Sequence, residues 1–498
     1  MSDFTAPCFS SSARPDFSAS PACFVGGAWI EADSRETFPV LNPATREVLA
    51  HAPLCGAAET GRAIAAAEAA FPAWRARMAK ERSALLRRWN DLILREISAL
   101  ATLITAECGK PLAEAEGEVR YGASFLEWFA EEGKRAYGEI IPSSFPDRRV
   151  LAAKMPIGVC AAITPWNFPM AMITRKVAPA LAAGCTVIIK PAEETPLSAF
   201  FLARLAEEAG FPRGVLNVIS GDAQSIGKTL TESPVVRHLS FTGSTEVGRL
   251  LMAQCAPTIK RVALELGGNA PFIVFDDADL EAAVTGAMEA KFRNTGQTCV
   301  CANRFLVQSG VYEDFAARFT RAVSQLKVGD GREAGVRQGP LINADAMEKV
   351  RRQVADAVER GARVLTGGTP HSVSAALGGA FFTPTVLADA KMEMLIAREE
   401  TFGPVAPLFR FSTESEAISL ANAVEHGLAA YFYSRDFARV TRVSEALEFG
   451  MVGVNTGVMS TEAAPFGGIK QSGFGREGGR QGLEEYLDTK YLCLGGIQ

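Results

Sequence analysis

The 498-residue sequence predicts an α/β architecture: two doubly wound parallel-sheet units facing a cleft, with a small β hairpin set apart from them. Three observations lead there. From residue 159, short apolar runs at 159–163, 186–189, 215–219 and 236–241 alternate with helical stretches at 198–209 and 245–253. A second alternating set runs from about residue 271 to 454, with strands expected at 272–275, 305–307, 405–411 and 452–454. Ahead of both, residues 138–156 break the rhythm: Ile140-Ile141, a Pro-Ser-Ser-Phe-Pro turn and Val150-Leu151 read as a hairpin.

Taken in order, residues 1–22 are rich in Ser, Ala and Pro and carry Asp3 and Asp16. They lack a basic run followed by an apolar core, so they read as a flexible extension and not as a secretory signal. Short strands and turns are expected from Trp29 to Pro39. Residues 68–108 are strongly helical, with Leu85, Leu86, Trp89, Leu92 and Ile93 at helical spacing, and the run stops at Gly109 with Pro111 beyond. A second amphipathic helix follows through Phe125, Leu126 and Phe129 to about Lys134. The late run Tyr491-Leu492-Cys493-Leu494 reads as a strand that pairs with the hairpin, and projecting β pieces of this kind suit assembly.

Composition narrows the function. A hydrophobic content of 48% with 21% charged residues is that of an ordinary globular protein. A net charge of −5 without a long basic run argues against nucleic acid or an anionic membrane as the main partner. No apolar stretch is long enough to span a bilayer; the best, residues 177–189, is broken by Pro179 and Gly184. The ten cysteines are scattered singly, except for Cys299 and Cys301, which fits a reducing cytoplasm better than a secreted disulfide framework. His51, His238, His371 and His426 are far apart without metal-ligand spacing, so neither a metal site nor a histidine-based triad is expected.

Cys299 stands between the polar run Gly296-Gln297-Thr298 and the apolar Phe305-Leu306-Val307, where a strand-edge loop can present a thiol to a cleft. The competing reading is a buried structural cysteine. Phe241-Thr242-Gly243-Ser244-Thr245-Glu246-Val247-Gly248 follows an expected strand and opens a helix, whose free amides suit a pyrophosphate; it lacks the middle glycine of the usual dinucleotide fingerprint. Lys190-Pro191-Ala192-Glu193 ends another strand of the same sheet and can grip ribose hydroxyls. A carboxylate there repels a 2′-phosphate and leans toward NAD over NADP. Glu265, ahead of Leu266-Gly267-Gly268, is a candidate general base, and Asn167, held in Thr164-Pro165-Trp166-Asn167-Phe168-Pro169, a candidate oxyanion donor. An ion pair for Glu265 and a turn role for Asn167 are the plainer alternatives.

These motifs, with Glu400-Thr-Phe402-Gly-Pro and Pro465-Phe466-Gly-Gly-Ile-Lys470-Gln-Ser-Gly, resemble the NAD(P)-dependent aldehyde dehydrogenase superfamily, in order from about Ala28 to the C-terminus. The resemblance implies that Cys299 attacks an aldehyde, that Asn167 and the Cys299 amide hold the oxyanion, and that Glu265 activates water against the thioester. It assigns Thr164, Pro165, Trp166, Lys190 to Glu193, Gly243 to Gly248, Leu266, Glu400 and Phe402 to the NAD or NADP site, and Lys176 and Glu477 to proton relay. It implies a Rossmann-like NAD(P)-binding domain over 23–137 and 157–266, a catalytic domain over 267–474, and an oligomerisation region over 138–156 and 475–498, in a cytoplasmic homodimer or homotetramer.

Within the superfamily the sequence looks most like succinate-semialdehyde dehydrogenases, through Met172-Ile-Thr-Arg175-Lys176, Arg293, the Cys299-Val-Cys301 pair and Ser460. Arg175 and Arg293, with the Ser460 hydroxyl, suit an aldehyde whose far end is a carboxylate. Thr461-Glu462-Ala463 departs from the pattern in the substrate loop and leaves glutarate semialdehyde as the nearest competitor, with a broader aldehyde specificity behind it. A disulfide between Cys299 and Cys301 would close a small strained ring that is easily reduced, so reversible oxidative inactivation is expected. Two other classes compete: a cofactor-independent thiol hydrolase, against which the dinucleotide segments speak, and a binding protein that kept the fold, against which Cys299 and Glu265 speak.

Overall fold

The computed structural model describes residues 22–497. The extension expected over residues 1–22 lies, but for Ala22, outside the described residues. An eight-stranded sheet carries five parallel strands at its centre, in the spatial order Leu216–Val218, Thr186–Lys190, Val159–Ile163, Val236–Thr242 and Arg261–Glu265. In chain order this is 3-2-1-4-5, so the direction of winding reverses between Val159–Ile163 and Val236–Thr242 and leaves a crevice at their carboxyl ends. Antiparallel strands close its edges: Cys23–Val25 and Ala28–Ile30 on one side, Gly473–Phe474 on the other. Residues 473–474, on the catalytic side of the division drawn from the resemblance, thus pair with Leu264 and Glu265 of the first sheet.

The second sheet has seven strands, in the order Arg363–Thr366, Thr385–Ala388, Val405–Phe411, Ala302–Gln308, Ala270–Val274, Ala429–Tyr433 and Met451–Val454, all parallel except the first pair. Its strands are covered on both faces, with Phe272, Phe305 and Tyr431 packed into one core and Ile273, Leu306 and Phe432 into the other. Such double-sided burial is why these strands read as continuous apolar runs. The third sheet pairs Glu139–Ile141 and Leu487–Leu494 with opposite sides of Arg149–Pro156, in a register running from Leu487↔Pro156 to Leu494↔Arg149.

The expected helical run 68–108 is three helices, Ala57–Arg75, Ala79–Arg95 and Ile97–Cys108. The first break falls at Met78, whose extended backbone amide is capped by the Glu81 carboxylate, and the last helix ends on Gly109 with φ +83°, a conformation glycine adopts without penalty. Trp89 anchors this layer: it is fully buried, its indole N–H donates to the Leu202 carbonyl at 3.2 Å, and its ring meets Phe211 edge-on at 5.5 Å. Trp89→Ala therefore removes both a large buried ring and a hydrogen bond, and should cost about 3–5 kcal/mol. A fall in the melting temperature measured by differential scanning fluorimetry checks it, with residual activity unchanged per folded molecule.

Candidate active site

The carboxyl ends of the first sheet meet the amino ends of the second. Thr164 to Asn167 leave strand Val159–Ile163 and Gly243 leaves Val236–Thr242, while Cys299 precedes strand Ala302–Gln308 and Gly268 precedes Ala270–Val274. Cys299 rides on an unusual turn, with Asn294, Thr295 and Gly296 all in the left-handed region at φ 49°, 57° and 76°. For a β-branched residue such as Thr295 this backbone is strained, and it persists only where surrounding contacts over-determine it. Those contacts are present. The Asn294 amide donates to Glu114 at 2.7 Å, the Thr295 hydroxyl to the Gly339 carbonyl at 3.2 Å, and the Gln297 side chain bridges the Asn294 and Pro340 carbonyls and the Ile342 amide. A Cβ on Gly268 would lie 2.4 Å from the Cys299 carbonyl oxygen, so that only glycine lets the two segments approach.

Asn167 donates one side-chain N–H to the Gln297 carbonyl at 3.0 Å, and its Oδ1 has no partner. A carboxamide carries two N–H groups, so one remains for an oxygen placed beside Cys299. Both oxygens of Glu265 are buried without a partner. Burial, reinforced by the Glu477 carboxylate and opposed by Arg175 and Lys176, pushes its pKa up to about 8. Burial likewise raises the Cys299 thiol to about 12, with Arg175 the main charge drawing it down. The resting sulfur is thus a neutral thiol, in a cavity whose wall also carries the Glu265 carboxyl group. Behind them Glu477 accepts from Arg175 Nε with one oxygen and from Lys176 Nζ with the other, and Lys176 also donates to the Ser240 hydroxyl at 2.9 Å. Burial alone would raise the Glu477 pKa, but the two cations outweigh it and hold the carboxylate ionised.

Two cavities open from Cys299. The first, about 320 Å³, is lined by Tyr121, Phe168, Arg175, Arg293, Cys299, Ser460 and Phe466 among others. Arg175 lies over the Phe466 ring at 4.1 Å and turns toward the buried Tyr121 hydroxyl, and Arg293 lies 5.7 Å over Phe168 with its Nε unpartnered. Buried cationic donors in one chamber, one of them unsatisfied, call for an anionic occupant. All three residues expected to hold the far end of the substrate face this chamber.

The second cavity, about 310 Å³, is lined by Pro165, Trp166, Asn167, Gly243, Ser244, Glu265, Leu266, Cys299, Lys349, Glu400 and Phe402 among others. Phe402 meets Trp166 edge-on at 5.6 Å, and Glu400 accepts the Gly268 amide at 3.0 Å while burial lifts its pKa to about 7. An apolar wall with two carboxyl groups, Glu265 and Glu400, and one lysine, Lys349, fits a flat heteroaromatic ring carrying polar substituents. The remaining expected cofactor residues lie outside this wall. Thr164 follows strand Val159–Ile163, its amide bonded to the Lys190 carbonyl at 3.0 Å. Lys190, Pro191, Ala192 and Glu193 continue from the neighbouring strand end, where Lys190 pairs with Glu193 and donates to the Pro191 carbonyl at 3.1 Å. Thr245, Glu246, Val247 and Gly248 form the first turn of helix Thr245–Cys255, capped by the Ser244 hydroxyl on the Val247 amide. Gly248 packs so tightly on Leu266 that a Cβ would approach its side chain to 2.5 Å, so that only glycine lets this turn of the helix lie against Leu266.

Cys301 is buried, accepts from the Thr298 hydroxyl at 2.9 Å and donates to the Lys291 carbonyl at 3.3 Å. Sequence reasoning overlooked Lys110, Glu118, Tyr121, Asn294 and Lys349. The only signal was Lys110 lying between Gly109 and Pro111, at a helix end.

The aldehyde dehydrogenase family profile matches residues 29–492. The chain belongs to this family. It is 61% identical over 474 residues to the glutarate-semialdehyde dehydrogenase of Pseudomonas aeruginosa, covering 95% of this chain and 97% of that protein. It is 59% identical over 471 residues to the Escherichia coli K12 protein named succinate-semialdehyde dehydrogenase (NADP(+)), with 95% and 97% covered. A crystal structure of succinate-semialdehyde dehydrogenase from Burkholderia pseudomallei superposes with a TM-score of 0.94 at 60% identity, covering 95% of this chain and 98% of that one.

Because Glu265 is protonated below about 8 and ionised above it, any step that needs its basic form speeds up as pH rises through that range. The limb should climb by about tenfold per unit below the pKa and then level off. In Glu265→Gln the limb should vanish and kcat fall. A kcat profile from acid to mildly alkaline pH checks it, and a limb that survives the substitution assigns it elsewhere.

Proposed function

We propose that this aldehyde dehydrogenase oxidises a semialdehyde with a terminal carboxylate, succinate semialdehyde foremost and glutarate semialdehyde next, to the dicarboxylate with NAD or NADP. The observation that carries the reading is the chamber opening on Cys299 into which Arg175, Arg293 and Tyr121 turn buried donor groups, with the Arg293 Nε left unpartnered. The relatives' names, one for each semialdehyde, support the substrate class and leave chain length to experiment.

Glu265 in its basic form takes the Cys299 proton, and the sulfur adds to the aldehyde carbon. Asn167 Nδ2 and the Cys299 amide hold the oxygen of the resulting thiohemiacetal. When bound in the second cavity, the nicotinamide supplies a hydride acceptor. Trp166, Glu400 and Phe402 orient that end of the cofactor. Glu265 then removes a proton from water, which attacks the thioester carbon and releases the acid and the Cys299 thiol. Lys176 and Glu477, a buried pair hydrogen-bonded to Ser240, carry protons away from Glu265. Thr164 and Pro165 with Leu266 flank the nicotinamide arm, Lys190 to Glu193 hold the adenosine ribose, and Gly243 to Gly248 hold the pyrophosphate. Because Lys190 pairs with Glu193, the carboxylate repels a 2′-phosphate less than an isolated one would. A Glu193→Ala comparison of NAD with NADP measures what repulsion remains.

We further propose the division into an NAD(P)-binding domain (23–137, 157–266), a catalytic domain (267–474) and an oligomerisation region (138–156, 475–498), in a cytoplasmic homodimer or homotetramer. Exposed Ile140, Tyr491 and Leu494 on the three-stranded sheet support assembly there. No helix among the described residues is long and apolar enough to cross a membrane.

The test is a kcat/KM panel of succinate semialdehyde, glutarate semialdehyde and an uncharged aldehyde of similar length, each with NAD and with NADP. Arg293→Leu should raise KM for the charged substrates by about 10- to 100-fold, the worth of a charge-assisted hydrogen bond, and leave the uncharged one unmoved. Equal kcat/KM across the three aldehydes would falsify the carboxylate reading.

Oxidation supplies a further expectation. Peroxide takes two electrons and two protons from the Cys299 and Cys301 thiols, forming their disulfide and water, and a dithiol reverses it. Cys301 must first leave Thr298 and Lys291. In Cys301→Ala, thiol recovery after peroxide treatment should be lost; undiminished recovery rules the bridge out.

A further inference from the structure

We propose that the buried Lys110–Glu118 pair is the device that positions Asn167, and that it serves the attack on the aldehyde rather than capture of the substrate's charge. The inference rests on the reading of Asn167 as oxyanion donor and adds two residues that act through it. Lys110 sits in the turn between helix Ile97–Cys108 and helix Leu112–Glu132, and Glu118 on the second of these; they are 1% and 3% exposed. One oxygen of Glu118 accepts the backbone amides of Met170 at 2.9 Å and Ala171 at 3.2 Å, at the opening of helix Ala171–Ala183, and the other accepts Lys110. Lys110 Nζ donates in turn to the Asn167 carbonyl at 2.7 Å and lies 3.9 Å over the Phe168 ring. One ion pair therefore holds both ends of the short segment that bears the carboxamide.

The anchor is itself fixed from the catalytic side. The Leu112 amide donates to the Gly331 carbonyl at 2.9 Å, and Gly339 approaches the turn so closely that a Cβ would lie 2.1 Å from the Gly109 carbonyl oxygen. Asn294 Nδ2, on the turn that carries Cys299, reaches the same Asn167 carbonyl at 3.1 Å. The nucleophile and the oxyanion donor thus share one fixed point.

Lys110 and Glu118 also line the first cavity, and a third cation for the substrate carboxylate is the rival assignment. Donor capacity decides against it. An ammonium has three N–H groups, and those of Lys110 face Glu118, the Asn167 carbonyl and the Phe168 ring, whereas Arg293 keeps an unpartnered nitrogen. A buried pair is also a poor source of stability, because desolvation offsets its attraction, so its use here is geometric.

The experiment compares Lys110→Met, Asn167→Ala and the double variant in single-turnover NADH formation, with charged and uncharged aldehydes. Lys110→Met should slow the burst by about 10- to 100-fold on both aldehydes while KM stays within about twofold. In the Asn167→Ala background it should cost nothing further, since the two act through one group. Glu118→Gln keeps the volume and an acceptor for the two amides and should give the same pattern at smaller size, which decides the matter if the lysine variant does not fold. A rise in KM confined to charged aldehydes would make Lys110 a substrate ligand and overturn the proposal. Additive losses in the double variant would overturn it too. If Asn167→Ala by itself leaves the burst undiminished, the oxyanion reading fails and this inference falls with it; a slow Asn167→Ala beside an unaffected Lys110→Met sinks the inference alone.

Discussion

The structure depends on burying charge where two sheets abut. Glu477 enters from the C-terminal segment and accepts from consecutive residues of one helix, Arg175 and Lys176, all three nearly inaccessible to water. Removing one member of such a group leaves an uncompensated charge in a medium that cannot solvate it, at a cost of about 3–5 kcal/mol. The same group links the chambers. Arg175 lines the first cavity, and Glu477, with Arg175 and Lys176, sets the field at Glu265. The charge lining the first cavity and the proton affinity of Glu265 are therefore coupled through one carboxylate.

The arrangement inverts half of a general rule. Open α/β sheets usually bind ligands at the carboxyl ends of their strands, and the first sheet has its cavity there, with Asn167 and Gly243 at its winding reversal. The second sheet instead presents the amino ends of its strands, where Cys299, Gly268 and Glu400 with Phe402 precede Ala302–Gln308, Ala270–Val274 and Val405–Phe411. Cys299 thereby comes from one unit, and Asn167 and Glu265, the proposed oxyanion donor and base, from the other. Relative placement to a fraction of an ångström then rests on contacts that cross between them, among them Asn167 to Gln297 and Asn294 to Asn167.

Much of this was legible without coordinates. Cys299, Glu265 and Asn167 sit in runs of glycine, proline and amide residues whose backbone demands leave a mark in the sequence, and the parallel strands announce themselves as apolar runs. Strands Thr385–Ala388 and Ala429–Tyr433 did not, because a short apolar segment buried on both faces has no period to separate strand from helix. The helical run expected over residues 68–108 read as one because its breaks, at Ala76 to Met78 and at Glu96, involve residues with no strong turn preference. Lys110, Glu118 and Tyr121 escaped notice for another reason. Each is a lone polar residue in or beside a helix, and only the fold reveals that its polar atom faces inward. The pairing of Lys190 with Glu193 is similar: the two residues were visible, their mutual neutralisation was not.

That both chambers share a single sulfur has a consequence for inhibitor chemistry. A molecule with an anionic arm for Arg175 and Arg293 and a flat ring for the wall of Trp166 and Phe402 passes Cys299 at its midpoint. Joining the two heads makes the second contact intramolecular, so that affinity grows through effective concentration without any new interaction. An electrophile set into the linker would then meet the thiol from a tethered position, and selectivity over enzymes with an uncharged outer chamber would follow from the arm alone.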